Sequence, residues 1–341
     1  MSMYRRYSIR TVDSHTEGNP TRVIVGGFAA PPGETIFEKI AWLRNNQDGL
    51  RRMLNFEPRG SGLMCSVLLL PPVTEDSHFS AIIMEQDEYV PMCGHCIIGA
   101  ATTVVSEGMI EVTEPTTTVV FDTPAGQIRC DVEVIEDRIG SVTFENVESF
   151  LLKSQIPLRV DGMGSLTVDI AYGGDLYTIV DADEIGLELG INNDACLIEA
   201  WARIRTAVAE QIETVHPYEP RINRCYQVLF TSNQHKKFDY RQTIAVPPGT
   251  LDRSPCGTGT SARLAMLFQR QEVEMHERRS FEGPLGTCFT GKVIGAEERN
   301  GITFVRPTIT GRAFITGYHN FVLDPEDPIP TGYRVGPAAA D

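Results

Sequence analysis

The sequence predicts an α+β protein built as two α/β lobes of similar construction. Three observations carry this. The chain has 341 residues, room for roughly two domains. Short alternating or apolar runs recur along its length, with only a few helical stripes among them. Two distant stretches, Pro91-Met92-Cys93-Gly94-His95-Cys96 and Asp252-Arg253-Ser254-Pro255-Cys256-Gly257-Thr258, each set a cysteine before a glycine. Small and apolar residues at helical spacing follow both.

Residues 6–13 and 21–27 alternate as strands, and the polar segment 13–20 between them reads as a turn. Ile36, Ile40, Leu43, Leu50 and Leu54 form one helical stripe over 34–54, which Glu57-Pro58-Arg59-Gly60-Ser61-Gly62 breaks. Strands follow near 64–70 and 79–84, then the first cysteine motif and a helix over 94–106. Residues 117–122, 127–135 and 140–145 read as a meander. The pattern weakens over 147–157, the expected crossing into a second lobe. That lobe opens with strands at 165–171 and 176–180 around Gly173-Gly174. A helix over 193–212 carries Cys196, Ile198, Trp201, Ile204 and Val208 as its apolar side. Strands at 225–231 and 241–246 lead through Pro247-Pro248-Gly249 to the second cysteine motif, whose helix runs to about residue 271. Strands at 287–295, 302–306 and 313–323 close the chain. Each half therefore reads as strands, a cysteine with its helix, then strands, the pattern of a duplicated unit.

Composition narrows the function. A formal net charge of −15 argues against nucleic acid or anionic membrane as a partner, since both need basic surface. The run Val67-Leu68-Leu69-Leu70-Pro71-Pro72-Val73 is too short to span a bilayer, and no secretory leader is evident at the N-terminus. Eight cysteines with one close pair do not make a disulfide scaffold in a chain of this size, so a reducing cytoplasm is expected.

Cysteines at helix starts have a specific chemistry. The first turn of a helix presents unpaired N–H groups and the positive end of the dipole. A thiol there ionises more readily, and the same N–H groups bind carboxylate. If Cys93 and Cys256 face one small site, donors from Gly94, His95, Gly257 and Thr258 hold a carboxylate between them. One sulfur then removes a proton from the adjacent carbon and the other delivers a proton to the opposite face. Asp252, with His95, is placed to hold a protonated substrate nitrogen.

Other readings stay open at this point. Cys65, Cys130, Cys196, Cys225 and Cys288 lie in apolar patterns and read as small core residues. Gly257-Thr258-Gly259-Thr260 resembles a phosphate cradle, but no lysine follows as in a Walker loop. Cys93-Gly94-His95-Cys96 has the form of a thiol–disulfide exchange motif. A metal reading of Cys93, His95, Cys96 and Cys256 has no second ligand pair at zinc-ribbon spacing, so no metal is expected.

At these residues the sequence resembles the proline racemase family, which includes 4-hydroxyproline 2-epimerase. The resemblance covers essentially the whole chain. Its landmarks are Asp13-Ser14-His15-Thr16, Gly18-Asn19-Pro20-Thr21-Arg22, Phe56-Glu57-Pro58-Arg59-Gly60, Met92-Cys93-Gly94-His95, Asp122-Thr123-Pro124-Ala125-Gly126, Tyr172-Gly173-Gly174, and the long run from Asp252 to Ala262. The resemblance implies two pseudo-symmetric lobes similar to diaminopimelate epimerase, a site in the cleft between them, no cofactor, and a homodimer. It implies a first lobe of residues 1–147 with 310–341 and a second of 148–309. It assigns catalysis to Cys93 and Cys256, and substrate binding to Gly94, His95, Asp252, Gly257 and Thr258. The substrate it implies is a small proline-type amino acid, 4-hydroxyproline ahead of proline. A branch that dehydrates trans-3-hydroxyproline carries threonine at the second cysteine, and Cys256 argues against that branch. Cys96, Asp175 and Ser61 depart from the family's usual residues, as does Phe281-Glu282-Gly283-Pro284-Leu285-Gly286. Cys96 and Asp175 are the candidates for setting specificity.

Overall fold

The computed structural model of the protein describes residues 7–234, 236–324 and 326–334. The expectation that residues 1–6 and 335–341 belong to the first lobe lies outside them. The chain divides into two units. One runs through Phe144 and resumes at Gly311, and the other is Glu145–Thr310. Both mix strands with a few helices, a mixed α/β architecture.

The first unit contains β1 (Tyr7–Thr16), β2 (Asn19–Gly26), β3 (Cys65–Leu70), β4 (Phe79–Met84), the two-residue β5 (Tyr89–Val90), β6 (Thr116–Thr123), β7 (Gly126–Ile135), β8 (Arg138–Glu145) and the C-terminal β18 (Ala313–Leu323). Their order across the sheet is β18-β1-β2-β3-β4-β6-β7-β8, with β5 beside β4. The β2–β3 and β4–β6 pairs are parallel and the rest antiparallel. Helices α1 (Ile36–Asn46) and α2 (Gly49–Asn55) cover one face, where Ile40, Leu43, Met53 and Leu54 pack with Ile24, Leu68 and Ile82. On the other face, α3 (Gly94–Ser106) contacts β1, β2, β3, β7 and β18. Every residue of α3 but the last is buried. A helix apolar all round has no other stable place than a core.

The second unit contains β9 (Ser149–Val160), β10 (Gly164–Tyr172), β11 (Leu176–Asp181), β12 (Gln227–Ser232), β13 (Tyr240–Val246), the short β14 (Thr250–Leu251), β15 (Arg279–Glu282), β16 (Cys288–Arg299) and β17 (Ile302–Gly311), with helices α4 (Asp194–Gln211) and α5 (Gly257–Gln269). Their order is β9-β10-β11-β12-β13-β15-β16-β17, and β17 pairs back to β9, so the sheet closes into a barrel. The parallel pairs are β11–β12 and β13–β15. Read from β9 or from β18, the two units therefore have the same sequence of pair directions. α5 is the counterpart of α3, buried against β9, β10, β11 and β16. α4 packs Leu197, Trp201, Ile204 and Val208 on the outer face. No helix among the described residues is long and apolar enough to cross a membrane.

Four local expectations are corrected. The segment 13–20 is not a turn: β1 runs to Thr16, β2 starts at Asn19, and only Glu17-Gly18 turns. Asp13, Ser14, Thr16 and Asn19 are buried strand residues, and Asp13, Thr16 and Asn19 have side-chain partners. Arg22 donates to both Asp13 oxygens, at 2.8 Å from Nη2 and 3.1 Å from Nε, and its Nη1 donates to the Leu54 and Arg59 carbonyls at 2.5 and 2.7 Å. Its guanidinium lies 4.0 Å over the Phe321 ring. The 34–54 stripe is two helices, because the chain caps at Gln47 and restarts where Asp48 pairs with Arg51 at 2.8 Å. Residues 149–160, where the pattern weakens, are a regular strand; a left-handed Gln155 interrupts the alternation there, its N–H held by Asp169 at 2.9 Å. Cys196 is exposed rather than on the buried side of α4.

The Asp13–Arg22 pair supplies a stability prediction. Arg22→Met leaves the Asp13 carboxylate buried without its main partner. The expected loss is about 3–5 kcal/mol of unfolding free energy, read as a lower denaturant midpoint. An unchanged midpoint would show the pair to be dispensable.

Candidate active site

Cys93 is the N-cap of α3, with extended backbone, and its carbonyl accepts the first intrahelical bond, from Ile97 N–H at 3.0 Å. The N–H groups of Gly94, His95 and Cys96 precede that bond and have no partner within the helix. Thr16 Oγ1 donates to the His95 carbonyl at 2.8 Å, tying the first turn to the end of β1. The His95 ring lies 3.1 Å from Cys93 Sγ through Nδ1 and 3.4 Å from Cys96 Sγ through Nε2. Asn19 Nδ2 lies 3.1 Å from Nε2 on the same ring.

These contacts set the charges. A hydrogen bond from Cys96 and the neighbouring His95 charge outweigh burial and hold the Cys93 thiol well below its ordinary range. Burial opposes the His95 imidazolium, but the Cys93 thiolate and hydrogen bonds with Cys65 and Cys93 outweigh it and raise the ring well above its usual value. Cys96 is pushed well up by burial and by its hydrogen bonds to Cys65 and Cys93, so it remains the proton donor of the group. Cys65, expected to be a core hydrophobe, stands beside His95 and Cys96 at the start of β3. A hydrogen bond from Cys96 lowers its thiol to about 7. Glu85, next to these thiols, is held well above the usual carboxylate range by burial and by Cys65 and Cys93.

In the second unit, Cys256 is the N-cap of α5 and has a left-handed backbone, φ 65°. That conformation is costly for a residue with a Cβ and is held by its surroundings. Asp252 Oδ1 accepts the Ser254 N–H and hydroxyl, both at 2.8 Å, and Ser254 Oγ accepts the Cys256 N–H at 3.1 Å. Asp252 thus braces the turn that presents Cys256. The sulfur accepts the Gly259 N–H at 3.3 Å, and the ladder of α5 begins with Thr260 N–H to the Cys256 carbonyl at 2.9 Å. Gly257 and Thr258 N–H groups therefore stand outside the ladder. Tyr177 Oη lies 2.6 Å from Thr258 Oγ1 and 3.5 Å from Cys256 Sγ. Burial first, then the Asp252 charge, push the Cys256 thiol up to about 12.

Gly173 shows why the β10–β11 turn needs glycine. A Cβ there would lie 2.1 Å from the Thr258 carbonyl oxygen and 2.5 Å from the Ala262 nitrogen, so the turn seats directly on the start of α5. Asn146 Nδ2 locks this seat, donating to the Gly173 carbonyl at 2.7 Å and to Ser261 Oγ at 2.8 Å. Asp175 belongs to the same turn, its carboxylate accepting the Leu176 N–H and the Gln227 amide, both at 2.7 Å.

The predicted residues thus form two clusters. Cys93, Gly94, His95 and Cys96 share the first turn of α3. Asp252, Cys256, Gly257 and Thr258 share the entry to α5, with Asp175 on the turn beside it. Sequence reasoning missed Tyr177 and Cys65, which sit in apolar strand runs, and Glu85, which follows β4 with no motif around it. Asn19 was quoted only as part of a landmark.

The opposed acidities give a direct check. Thiolate, not thiol, is the form that alkylates. Iodoacetamide is expected to label Cys93 at neutral pH, with labelling lost as the pH falls through its lowered value. Cys256 is expected to stay unlabelled until the pH approaches about 12. Peptide mass spectrometry across pH reads both, and equal rates at neutral pH would contradict the asymmetry.

The family model described as Proline racemase matches residues 11–334. A 4-hydroxyproline 2-epimerase of Streptosporangium roseum is 41% identical over 94% of this chain and 97% of its own. A proline racemase of Clostridioides difficile is 37% identical over 96% and 98%. A trans-3-hydroxy-L-proline dehydratase of Bacillus cereus is 36% identical over the same shares. Among solved structures, a hydroxyproline epimerase from Agrobacterium vitis with bound trans-4-hydroxy-L-proline superposes with a TM-score of 0.89 at 32% identity, over 96% of this chain and 95% of that one. A PhzF-family protein of Bacillus anthracis shares the fold alone, with a TM-score of 0.59 at 11% identity over 92% and 99%.

These relatives define the class: the protein is an isomerase acting on amino acids, of the racemase and epimerase kind. The chain belongs to the proline racemase family.

Proposed function

We propose that the protein inverts the Cα configuration of a proline-type amino acid without a cofactor, with 4-hydroxyproline as its preferred substrate. The observation that carries this reading is the opposed acidity of two helix-capping cysteines, Cys93 lowered and Cys256 raised. Titratable pairs pushed apart in this way mark a base and an acid. In one direction the Cys93 thiolate takes the Cα proton, and the C–H electron pair moves into the carboxylate. The Cys256 S–H bond then breaks and its proton is delivered to the opposite face of the carbon. The reverse reaction exchanges the roles. First-turn N–H groups of Gly94, His95, Gly257 and Thr258 are proposed to receive the carboxylate, where fixed donors stabilise the developing charge. Asp252 and His95 are proposed to hold the ring nitrogen, and Cys96 and Asp175 to border the ring substituent.

The choice of 4-hydroxyproline is supported by the 41% relative and by the ligand-bound epimerase structure. The finer architecture proposed is two pseudo-symmetric lobes similar to those of diaminopimelate epimerase, in a cytoplasmic homodimer. Eight free thiols suit a reducing compartment. The test is Cα exchange in deuterated water with trans-4-hydroxy-L-proline, L-proline and trans-3-hydroxy-L-proline in parallel. Exchange with inversion, fastest on 4-hydroxyproline, is expected. Fastest turnover of proline would reassign the substrate, and dehydration of the 3-hydroxy compound would reassign the reaction. No exchange with any of them, together with reduction of insulin, would favour the thiol–disulfide reading.

A further inference from the structure

The first turn of α3 holds more ligating chemistry than proton transfer requires. Cys65, from the start of β3, brings a third sulfur to the two that flank His95. The ligand atoms of Cys65, His95 and Cys96 all lie within 4.8 Å of one another, and all three residues are buried. His95 Nε2 is 3.4 Å from Cys96 Sγ and 3.9 Å from Cys93 Sγ. Four ligands around one tetrahedral zinc, at about 2.3 Å for sulfur and about 2.0–2.1 Å for nitrogen, stand roughly 3.6 Å apart in each S–N pair. The two separations bracket that value, although the Cys93 sulfur stands nearer to Nδ1, at 3.1 Å. Thr16 holds the His95 carbonyl, while Asn19 Nδ2, 3.1 Å from Nε2, is the contact an ion on that nitrogen would displace. Cys65 and Cys93 each keep 8% of their surface exposed.

We propose that Cys65, His95 and Cys96 form a three-ligand binding site for a thiophilic cation of the zinc class, with the sulfur of Cys93 beside it but outside the group. Sulfur and imidazole donors select such ions over magnesium or calcium, which require oxygen ligands. Binding displaces thiol protons to solvent as metal–sulfur bonds form. An ion seated there takes up the His95 ring and the Cys96 sulfur, the two groups that hold Cys93 as an anion, so occupancy and proton abstraction from a substrate exclude each other. The binding rests on this geometry alone; the exclusion rests on the function proposed above.

The test uses the full chain, reduced and stripped of metal. Cobalt(II) is added as a spectroscopic probe, and zinc is titrated in competition with a chromophoric chelator. One ion per chain, with a sulfur-to-cobalt charge-transfer band displaced by zinc, is expected. Cys65→Ser and Cys96→Ser are each expected to weaken zinc binding by on the order of ten- to a hundred-fold or more. Cys196→Ser, remote on the exposed side of α4, is expected to bind as the unaltered protein does. Absence of the charge-transfer band in the unaltered protein overturns the proposal without any variant, and so does full-strength binding in either Cys65→Ser or Cys96→Ser. Turnover of 4-hydroxyproline with and without zinc reads the exclusion. If zinc binds but leaves measurable turnover intact, the exclusion is overturned. If no substrate turns over even without metal, the function proposed above fails while the binding result stands.

Discussion

Cys93→Ser is expected to lower the rate of Cα inversion by about 10²–10⁴-fold, the usual worth of a positioned acid or base. Serine keeps the shape and can still cap α3, so the helix and its first-turn donors stay in place. What is lost is the group held as an anion by Cys96 and His95. A hydroxyl in the same place stays protonated at neutral pH and is too weak a base to take a proton from carbon. The measurement is inversion of each configuration at Cα, with binding of the flat analogue pyrrole-2-carboxylate as the control. Binding should change little, because that analogue asks only for the carboxylate donors. A variant that inverts within ten-fold of the normal rate would remove Cys93 from the chemistry.

Cys256→Thr is the second large effect, and it is asymmetric. The Cys256 thiol is the group held protonated by burial and by Asp252. With threonine in its place, inversion is expected to fall by about 10²–10⁴-fold. Cys93 is untouched, so one configuration of the substrate should still exchange its Cα proton with deuterated water and keep its handedness. The mirror configuration should not exchange at all. Loss of exchange from both faces would show that the two sulfurs do not act separately. A β-branched residue is also poorly suited to the left-handed backbone at 256, where φ is 65°. Circular dichroism of the variant therefore accompanies the kinetics.

Much of this is legible in the sequence. The helix starts at 94 and 257 followed from glycine after cysteine and from the apolar stripes beyond, and the strands from 117 to 145 alternate plainly. The 13–20 segment was misread because polarity stood in for exposure. Asp13, Ser14, Thr16 and Arg22 are as buried as their apolar neighbours, and Asp13 and Arg22 are made tolerable there by each other. The strand at 149–160 hid behind the bulge at Gln155. Cys65 joined the wrong class for a related reason. Its neighbours along the chain are apolar, but its neighbours across the sheet and helix are His95 and Cys96, and no sequence spacing connects β3 to α3. Tyr177 is likewise lost in a run that differs from core only by the hydroxyls of Tyr177 and Thr178.

The order of strands has a consequence for how the chain is made. Every strand of the closed barrel comes from the unbroken stretch between Glu145 and Thr310. The other unit borrows β18, residues 313–323, from the far end of the chain to pair along β1. During synthesis the later-made barrel can therefore be completed first. The earlier-made sheet waits with one side of β1 bare until residues 313–323 leave the ribosome. Unpaired strand edges recruit other chains. A chain terminated before residue 313 would keep that edge permanently open, with Cys93 still on the helix behind it. Loss of that strand would thus convert a folding intermediate into an aggregation-prone species, and vectorial synthesis makes residues 313–323 the fastener for residues 7–16.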